Sequence, residues 1–118
     1  MTFTNNGNIG QNNNSWHSVQ TQSKINLTFN NNGTIYGNGQ KYGLLFYGMS
    51  NVVFNANAGS KLVIQNSFYT AVFANVESVR ANSVVFNVAS GAEGVSDNSY
   101  YGITTHNTLG TQVTVNLN

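Results

Sequence analysis

The chain has 118 residues, the length of about one domain. It carries a net charge of +1, with only 6% charged residues where an ordinary soluble domain has about 25%. Without a cluster of cations there is little to contact phosphates, so the composition argues against a nucleic-acid partner, and the absence of cysteine excludes disulfides, thiolate metal sites and cysteine nucleophiles.

The amino-terminal segment, residues 1–23, is rich in Asn and Gly and looks less regular than the rest of the chain. It has neither the basic region nor the apolar region of a signal peptide. No apolar run in the chain approaches the roughly 18 residues that a membrane-spanning helix needs, so we do not expect the chain to span a membrane. We expect it to be one part of a larger protein.

From residue 24 to 118, short β-type runs alternate with Asn, Gly and Ser, and no stretch has the composition of a helix. The 22 Asn and 12 Gly of the whole chain suit tight turns, although Asn-rich sequence of low charge can also be disordered. Interleaving with β-branched and aromatic residues favours turns. The runs form three groups: INLTF (25–29), NVVFNA (51–56), SVRAN (78–82) and QVTVNL (112–117); GTIYG (33–37), KLVIQ (61–65) and SVVFNV (83–88); KYGLLFYG (41–48), FYTAVFAN (68–75) and YYGITTHN (100–107).

The third group repeats with matched positions. Tyr42, Tyr69 and Tyr101 align at spacings of 27 and 32 residues, and the apolar positions that follow them stay in step. Three short strands in each period are typical of a parallel β-helix, in which equivalent side chains stack as ladders. Asn side chains at the corners can form such ladders through their amides.

We therefore predict an all-β fold: a right-handed parallel β-helix of about four coils of about 27 residues, forming one unit over 1–118 and part of a longer helix. Right-handedness is the general expectation for parallel crossovers. The spacing of 32 implies about five extra residues, which we place in a protruding loop at residues 90–99. A two-sheet sandwich is the alternative, because it too uses short strands and turns.

Strand alternation predicts which side chains of the third group are exposed. If Leu44 and Phe46 face inward, Leu45 faces outward. The outer face then keeps aromatic side chains that packing does not require. The predicted ligand-binding surface consists of the other outward positions, in this coil and at equivalent places in later coils: Lys41, Tyr47, Phe68 and Tyr100.

The ionisable residues make a weak case for catalysis. Glycoside hydrolysis usually needs two carboxylates across the scissile bond, and only Glu93 and Asp97 lie close together in sequence. Arg80 is more simply interpreted as half of a surface ion pair than as the base of a lyase. His17 and His106 have no second His or Cys nearby for a zinc site. We expect no catalytic residues, no metal site, no cofactor and no enzymatic activity.

A family resemblance adds to these patterns. The run NNNGTIYGNGQKYGLLFYGMSNVVFNANAGSKLVIQNS, followed by FYTAVFANVESV, resembles the pectate-lyase-like adhesive domains of large surface proteins of lactobacilli and related Gram-positive bacteria. The resemblance covers roughly residues 24–110 and depends on the repeats and the aromatic-Gly strand, not on a catalytic motif. It implies a β-helix without the lyase active site, in a secreted or wall-anchored surface protein.

The functional expectation is a non-enzymatic module for adhesion or aggregation at the bacterial cell surface. Its partners would be glycans, mucus, exopolysaccharide or like domains on other cells, since aromatic faces stack on sugar rings and amides bond to hydroxyls. Homotypic self-association through open sheet edges is a second hypothesis, and a passive stalk is a third. A fragment of a polysaccharide lyase or hydrolase is the most remote alternative.

Overall fold

The computed structural model describes residues 1–10, 17–22, 26–39, 42–47, 51–67, 69–74, 83–97, 101–106 and 112–118. Within these ranges every regular element is a β-strand, and no helix of a length and apolarity that would let it cross a membrane is found there. The strands consist mainly of β-branched, aromatic and amide residues, and Gly, Asn and Ser occupy the described turns between them.

The strands lie in three sheets. The first sheet contains, in spatial order, β1 (Thr2–Asn5), β4 (Leu27–Asn31), β7 (Asn51–Ala56), β10 (Ser83–Val88) and β13 (Gln112–Leu117). The second sheet contains β2 (Asn8–Ile9), β5 (Thr34–Asn38), β8 (Lys61–Gln65) and β11 (Glu93–Asp97). The third sheet contains β3 (His17–Gln22), β6 (Tyr42–Tyr47), β9 (Tyr69–Ala74) and β12 (Tyr101–His106).

The chain visits the three sheets in strict rotation, so each strand pairs with the strand three places further along the chain. Each of these pairs is parallel, whereas the strands of a sandwich are antiparallel. The register aligns Tyr42 with Tyr69 and Tyr69 with Tyr101, which confirms the predicted repeat. The all-β, parallel character of the fold is likewise confirmed.

One apolar core receives side chains from all three sheets. Along the first sheet, Phe29 stacks on Phe54 with ring centroids 5.2 Å apart, and Phe54 contacts Phe86 at 5.1 Å. Phe46 of the third sheet meets the edges of Phe29 and Phe54 at 6.4 Å, while Ile35 of the second sheet is fully buried beside them. Burying each such side chain contributes about 1.5–3 kcal/mol, so this column is the main stabilising feature of the described core.

Two strand assignments from the sequence are wrong. The run SVVFNV forms β10 of the first sheet, with Val84 opposite Val52 and Phe86 opposite Phe54, and does not belong with GTIYG and KLVIQ. Residues 93–97, expected within a protruding loop, form β11 and pair with β8.

The extra residues of the longer repeat lie instead between β9 and β10. Eight residues connect these two strands, whereas three connect β6 and β7. Pairing with β8 gives the backbone N–H and C=O groups of residues 93–97 hydrogen-bond partners within the protein, which an exposed loop would not. The run SVRAN lies outside the described residues.

Leu45, which alternation predicts to face outward, is buried. The residue is only 8% exposed, although it alternates with Leu44 and Phe46 and is not a member of the core cluster that contains them. It lies in register between Gln20 of β3 and Val72 of β9. Flanking strands about 4.8 Å away on both sides can cover a central position even on the outer face.

A close approach of two turns explains one glycine. The carbonyl oxygen of Gly7 accepts a hydrogen bond from the Thr34 amide at 2.9 Å, which brings Gly33 against the turn at Gly7. A Cβ atom on Gly33 would overlap that carbonyl oxygen, whereas a Cβ on Gly7 would have no neighbour within 4 Å. Only a hydrogen at Gly33 lets the two turns stack.

Gly33→Ala is therefore expected to lower the free energy of unfolding by about 1–3 kcal/mol, the usual cost of forced overpacking. The measurement is the urea midpoint at an unchanged m-value. Gly7→Ala is the matched control and should change stability by no more than about 0.5 kcal/mol. Equal effects of the two substitutions would contradict the stacked-turn geometry.

Candidate functional site

The predicted ligand-binding surface falls largely outside the part of the chain that the structure describes. Lys41, Phe68 and Tyr100 lie outside the described residues, and of Tyr47 only the backbone is placed, as the last residue of β6. The aromatic surface therefore stays a prediction. The candidate sites below are built from described side chains.

The outer face of the first sheet carries a row of asparagines, which we call the amide ladder: Asn30, Asn55, Asn87 and Asn116. Side-chain nitrogen Nδ2 of each later residue donates to Oδ1 of the one before it, at 2.8 Å from Asn55, 2.9 Å from Asn87 and 2.8 Å from Asn116. The four residues stand in register on β4, β7, β10 and β13. Like positions repeated on parallel strands thus produce a continuous row of oriented amides.

Each amide in the ladder keeps hydrogen-bonding capacity beyond the row itself. An Asn side chain has two N–H donors and two acceptor lone pairs on its oxygen. The ladder uses one donor and one acceptor of Asn55 and of Asn87. The remaining donor and acceptor of each residue recur about every 4.8 Å, the spacing of adjacent strands. The row is therefore an ordered array of alternating donors and acceptors.

The ladder is bordered by further uncharged groups. Two residues earlier on each strand is a column of Thr and Val, with Thr28, Val53, Val85 and Thr114 in register. At the strand starts, Asn51 bonds to Asn26 at 2.8 Å and Ser83 to Asn51 at 3.1 Å. No strand of the first sheet contains a charged side chain. This face offers amides, hydroxyls and small apolar groups, which is the chemistry that suits a neutral polyhydroxylated ligand.

The outer face of the second sheet is the other candidate. Tyr36, Val63 and Val95 form a column in register, and Tyr36 is 37% exposed. An exposed ion pair joins Lys61 Nζ to Glu93 Oε2 at 3.7 Å beside this column. Surface pairs of this kind contribute little to stability. The sequence analysis did not identify Tyr36 as a surface residue. Strand alternation in GTIYG could have done so, because Tyr36 follows Ile35, which faces inward.

The described acidic residues are separated along one strand of the second sheet. Glu93 and Asp97 lie four residues apart on one strand, so their Cα atoms are about 13 Å apart at the usual rise. Within the described ranges, no three His, Cys, Asp or Glu residues are grouped so that they could hold a metal ion. Glu77 and Arg80 lie outside those ranges.

Comparison of the chain with protein-family models, with curated proteins and with solved structures finds no match.

Proposed function

We propose that the chain is a non-enzymatic adhesion or aggregation module of a bacterial cell surface, and that it binds neutral glycans of mucus, exopolysaccharide or neighbouring cells. We also propose that it is one of the pectate-lyase-like adhesive domains of secreted or wall-anchored proteins. The observation that carries the binding claim is the amide ladder with its border of Thr and Val. No charge on this sheet would attract an ionic partner instead.

The proposed scaffold is a right-handed parallel β-helix of about four coils. Strict rotation among three parallel sheets around one core supports it, and the right-handed sense follows the rule for parallel crossovers. Such a solenoid stacks equivalent residues along its axis, so a ligand that extends along the axis would meet the same groups at every strand. A linear glycan presents hydroxyls repeatedly in the same way.

Pre-organisation strengthens the argument for the ladder. Each amide is held by its neighbours at 2.8–2.9 Å, so a ligand need not immobilise free side chains. That loss of rotamer freedom would otherwise cost about 0.5–1.5 kcal/mol for each side chain. Neutral hydrogen bonds are individually modest, at about 0.5–1.5 kcal/mol net, and a repeated row adds several of them.

The double substitution Asn55→Val with Asn87→Val is expected to weaken glycan binding about tenfold or more, because two hydrogen-bonding groups at about 1 kcal/mol each are lost. Val suits a half-buried strand position, so the fold should persist, as checked by circular dichroism. Binding isotherms on immobilised glycans give the measurement.

Tyr36→Ala is the matched variant from the second sheet and should leave binding within about twofold, well under the 1.4 kcal/mol of a tenfold change. Loss of binding in Tyr36→Ala with full binding in the double variant would place the site on the second sheet and contradict the ladder.

A further inference from the structure

The outward residues of the first sheet follow a fixed order along two of its interior strands. β7 and β10 each carry a polar residue, a valine and an amide at alternate positions, in register: Asn51, Val53 and Asn55 on β7, and Ser83, Val85 and Asn87 on β10. The valines therefore lie between two rows of hydrogen-bonding side chains, each about 6.6 Å away along the strand. We call Thr28, Val53, Val85 and Thr114 the methyl column, since every member carries at least one methyl group.

Hydrogen bonds hold both rows that border the methyl column. At the strand starts, Asn51 Nδ2 donates to Asn26 Oδ1 at 2.8 Å and Ser83 Oγ donates to Asn51 Oδ1 at 3.1 Å. On the other side is the amide ladder, in which Asn87 donates to Asn55 at 2.9 Å. β7 and β10 lie between β4 and β13, so neither row is a feature of an open sheet edge.

The methyl column gives this face an apolar strip without an aromatic ring. Val53 and Val85 are half-buried, so part of each side chain faces outward. No outward residue on the described strands of this sheet is aromatic, so a sugar ring has no π-face on which to stack here. A glycan that offers only hydroxyls would lose hydration over the methyl groups without gaining a partner there. The face is therefore matched to a ligand that carries a small apolar group between polar groups.

An acetamido substituent has this combination. It carries a methyl group, an N–H donor and a C=O acceptor on one planar amide, whereas a sugar hydroxyl has no apolar part. We propose that the first sheet selects uncharged glycans of N-acetylated amino sugars, with the acetamido methyl on the methyl column and its N–H and C=O bonded to the amide ladder. The remaining donor and acceptor of Asn55 and of Asn87 supply those two bonds. The inference rests on the proposed function and adds the class of sugar that the ladder recognises.

The spacing of the strands suits a chain of such sugars. Neighbouring strands are about 4.8 Å apart, so every second strand is about 9.6 Å away. Successive sugars of an extended β-1,4-linked chain face opposite ways, so acetamido groups on one side recur at every second sugar, an interval close to two strands. A chain along the axis would then place one acetamido group at Val53 and the next at Thr114, two strands further on. No strand of this sheet carries a cation for a carboxylate, which favours neutral over acidic sugars.

Two oligosaccharides test the role of the acetamido group directly. Pentamers of N-acetylglucosamine and of glucose, both β-1,4-linked, differ only in whether each ring carries an acetamido group or a hydroxyl at one position. Titration calorimetry with the monomeric protein should give a dissociation constant at least tenfold lower for the acetylated pentamer, a difference of about 1.4 kcal/mol. Equal constants, a preference for the glucose pentamer, or binding of other neutral glycans but of neither pentamer would overturn the inference and leave the proposed function standing. An absence of binding to every glycan would overturn both.

The double substitution Val53→Ser with Val85→Ser tests the methyl column. The acetamido methyl loses its apolar partner, so the preference for the acetylated pentamer should fall at least threefold, while the affinity for the glucose pentamer stays within twofold. Val63→Ser is the matched control and should keep the full preference, because Val63 is also half-buried but lies on the outer face of the second sheet.

A second pair of substitutions covers the case in which serine prevents folding, as judged by circular dichroism. Val53→Thr with Val85→Thr should fold, because threonine already occupies the same column at Thr28 and Thr114. Each substitution replaces one methyl group by a hydroxyl, so the preference for the acetylated pentamer should fall at least twofold. An unchanged preference in either folded double variant would overturn the assignment of the acetamido methyl to this column.

Discussion

Phe54→Ala is expected to lower the free energy of unfolding by about 3–5 kcal/mol, the usual cost of emptying a buried aromatic site. Phe54 is 1% exposed and lies between Phe29 and Phe86, with centroid distances of 5.2 and 5.1 Å. It also contacts the edge of Phe46. Its removal would take one ring contact from each of Phe29, Phe46 and Phe86, and parallel sheets fixed by their register cannot close the gap. Urea unfolding followed by circular dichroism gives the measurement.

Val53→Ala is the matched control, because Val53 precedes Phe54 on the same strand and is only half-buried on the outer face. Its cost should stay within about 1 kcal/mol, the span of strand propensities. If Phe54→Ala does not fold, Phe54→Leu should still fold with a loss of about 1.5 kcal/mol or less. Similar effects of Phe54→Ala and Val53→Ala would contradict a core built on the phenylalanine column.

Asn31→Asp is expected to cost about 3–5 kcal/mol at neutral pH, since it introduces an uncompensated buried charge. Asn31 is fully buried. Its Oδ1 accepts a hydrogen bond from Asn5 Nδ2 at 2.9 Å, and its own Nδ2 donates to the Lys61 carbonyl oxygen at 3.3 Å. An ionised carboxylate could still accept from Asn5 but would face the Lys61 carbonyl with no proton to donate.

The stability that Asn31→Asp loses should be larger at higher pH. Burial raises the pKa of the introduced carboxyl above its unfolded value of about 3.9. The folded variant then binds more protons than the unfolded one between those two pKa values, so its stability falls as pH rises from about 4. Below about pH 4 the variant should recover much of the loss. Unfolding midpoints between pH 3 and 8, roughly the range that spans both states, give the measurement.

Asn32→Asp provides the control one residue away. Asn32 is exposed, and its amide bonds to Asn6 at 2.7 Å and to Asn57 at 2.6 Å. Solvent can hydrate a charge there, so the loss should be well below that of Asn31→Asp and nearly independent of pH. A flat pH profile for Asn31→Asp itself would mean that its side chain is not held in a dry interior.

Much of the fold could be predicted from the sequence because side-chain columns repeat. The spacings between Tyr42, Tyr69 and Tyr101 gave the register of the third sheet, and the runs at 51–56, 61–65, 83–88 and 112–117 coincide with strands. The predicted bonding of Asn amides at the corners is confirmed as well, since Asn57 donates to Asn32 and Asn32 donates to Asn6. Parallel stacking makes these features visible, since equivalent residues must match.

The position of the extra residues could not be predicted in the same way. The assumption of a constant period placed SVVFNV in the wrong group. Its residues Val-Val-Phe-Asn match the same four residues of NVVFNA one by one. Both candidate insertion regions, 75–82 and 90–99, consist mainly of small and polar residues, so composition does not separate them. Only the pairing of β11 with β8 decides the matter.

The candidate site was harder to predict than the fold. Alternation gives the direction of a side chain but not its exposure, because exposure depends on neighbouring strands, as at Leu45. The sequence prediction of the site also relied on aromatic residues and did not include the asparagines of the ladder. The ladder becomes apparent once β4, β7, β10 and β13 are placed side by side, since its four members are spread over residues 30 to 116.

Direct binding of the monomeric protein to a panel of plant, bacterial and mucin-type glycans tests the central claim most directly. Measurements at low and high salt separate neutral recognition from charge attraction, since screening weakens exposed charge pairs. The proposed function predicts saturable binding to one glycan class that salt does not alter and that Asn55→Val with Asn87→Val reduces. An absence of binding across the whole panel, with the fold intact, would contradict it.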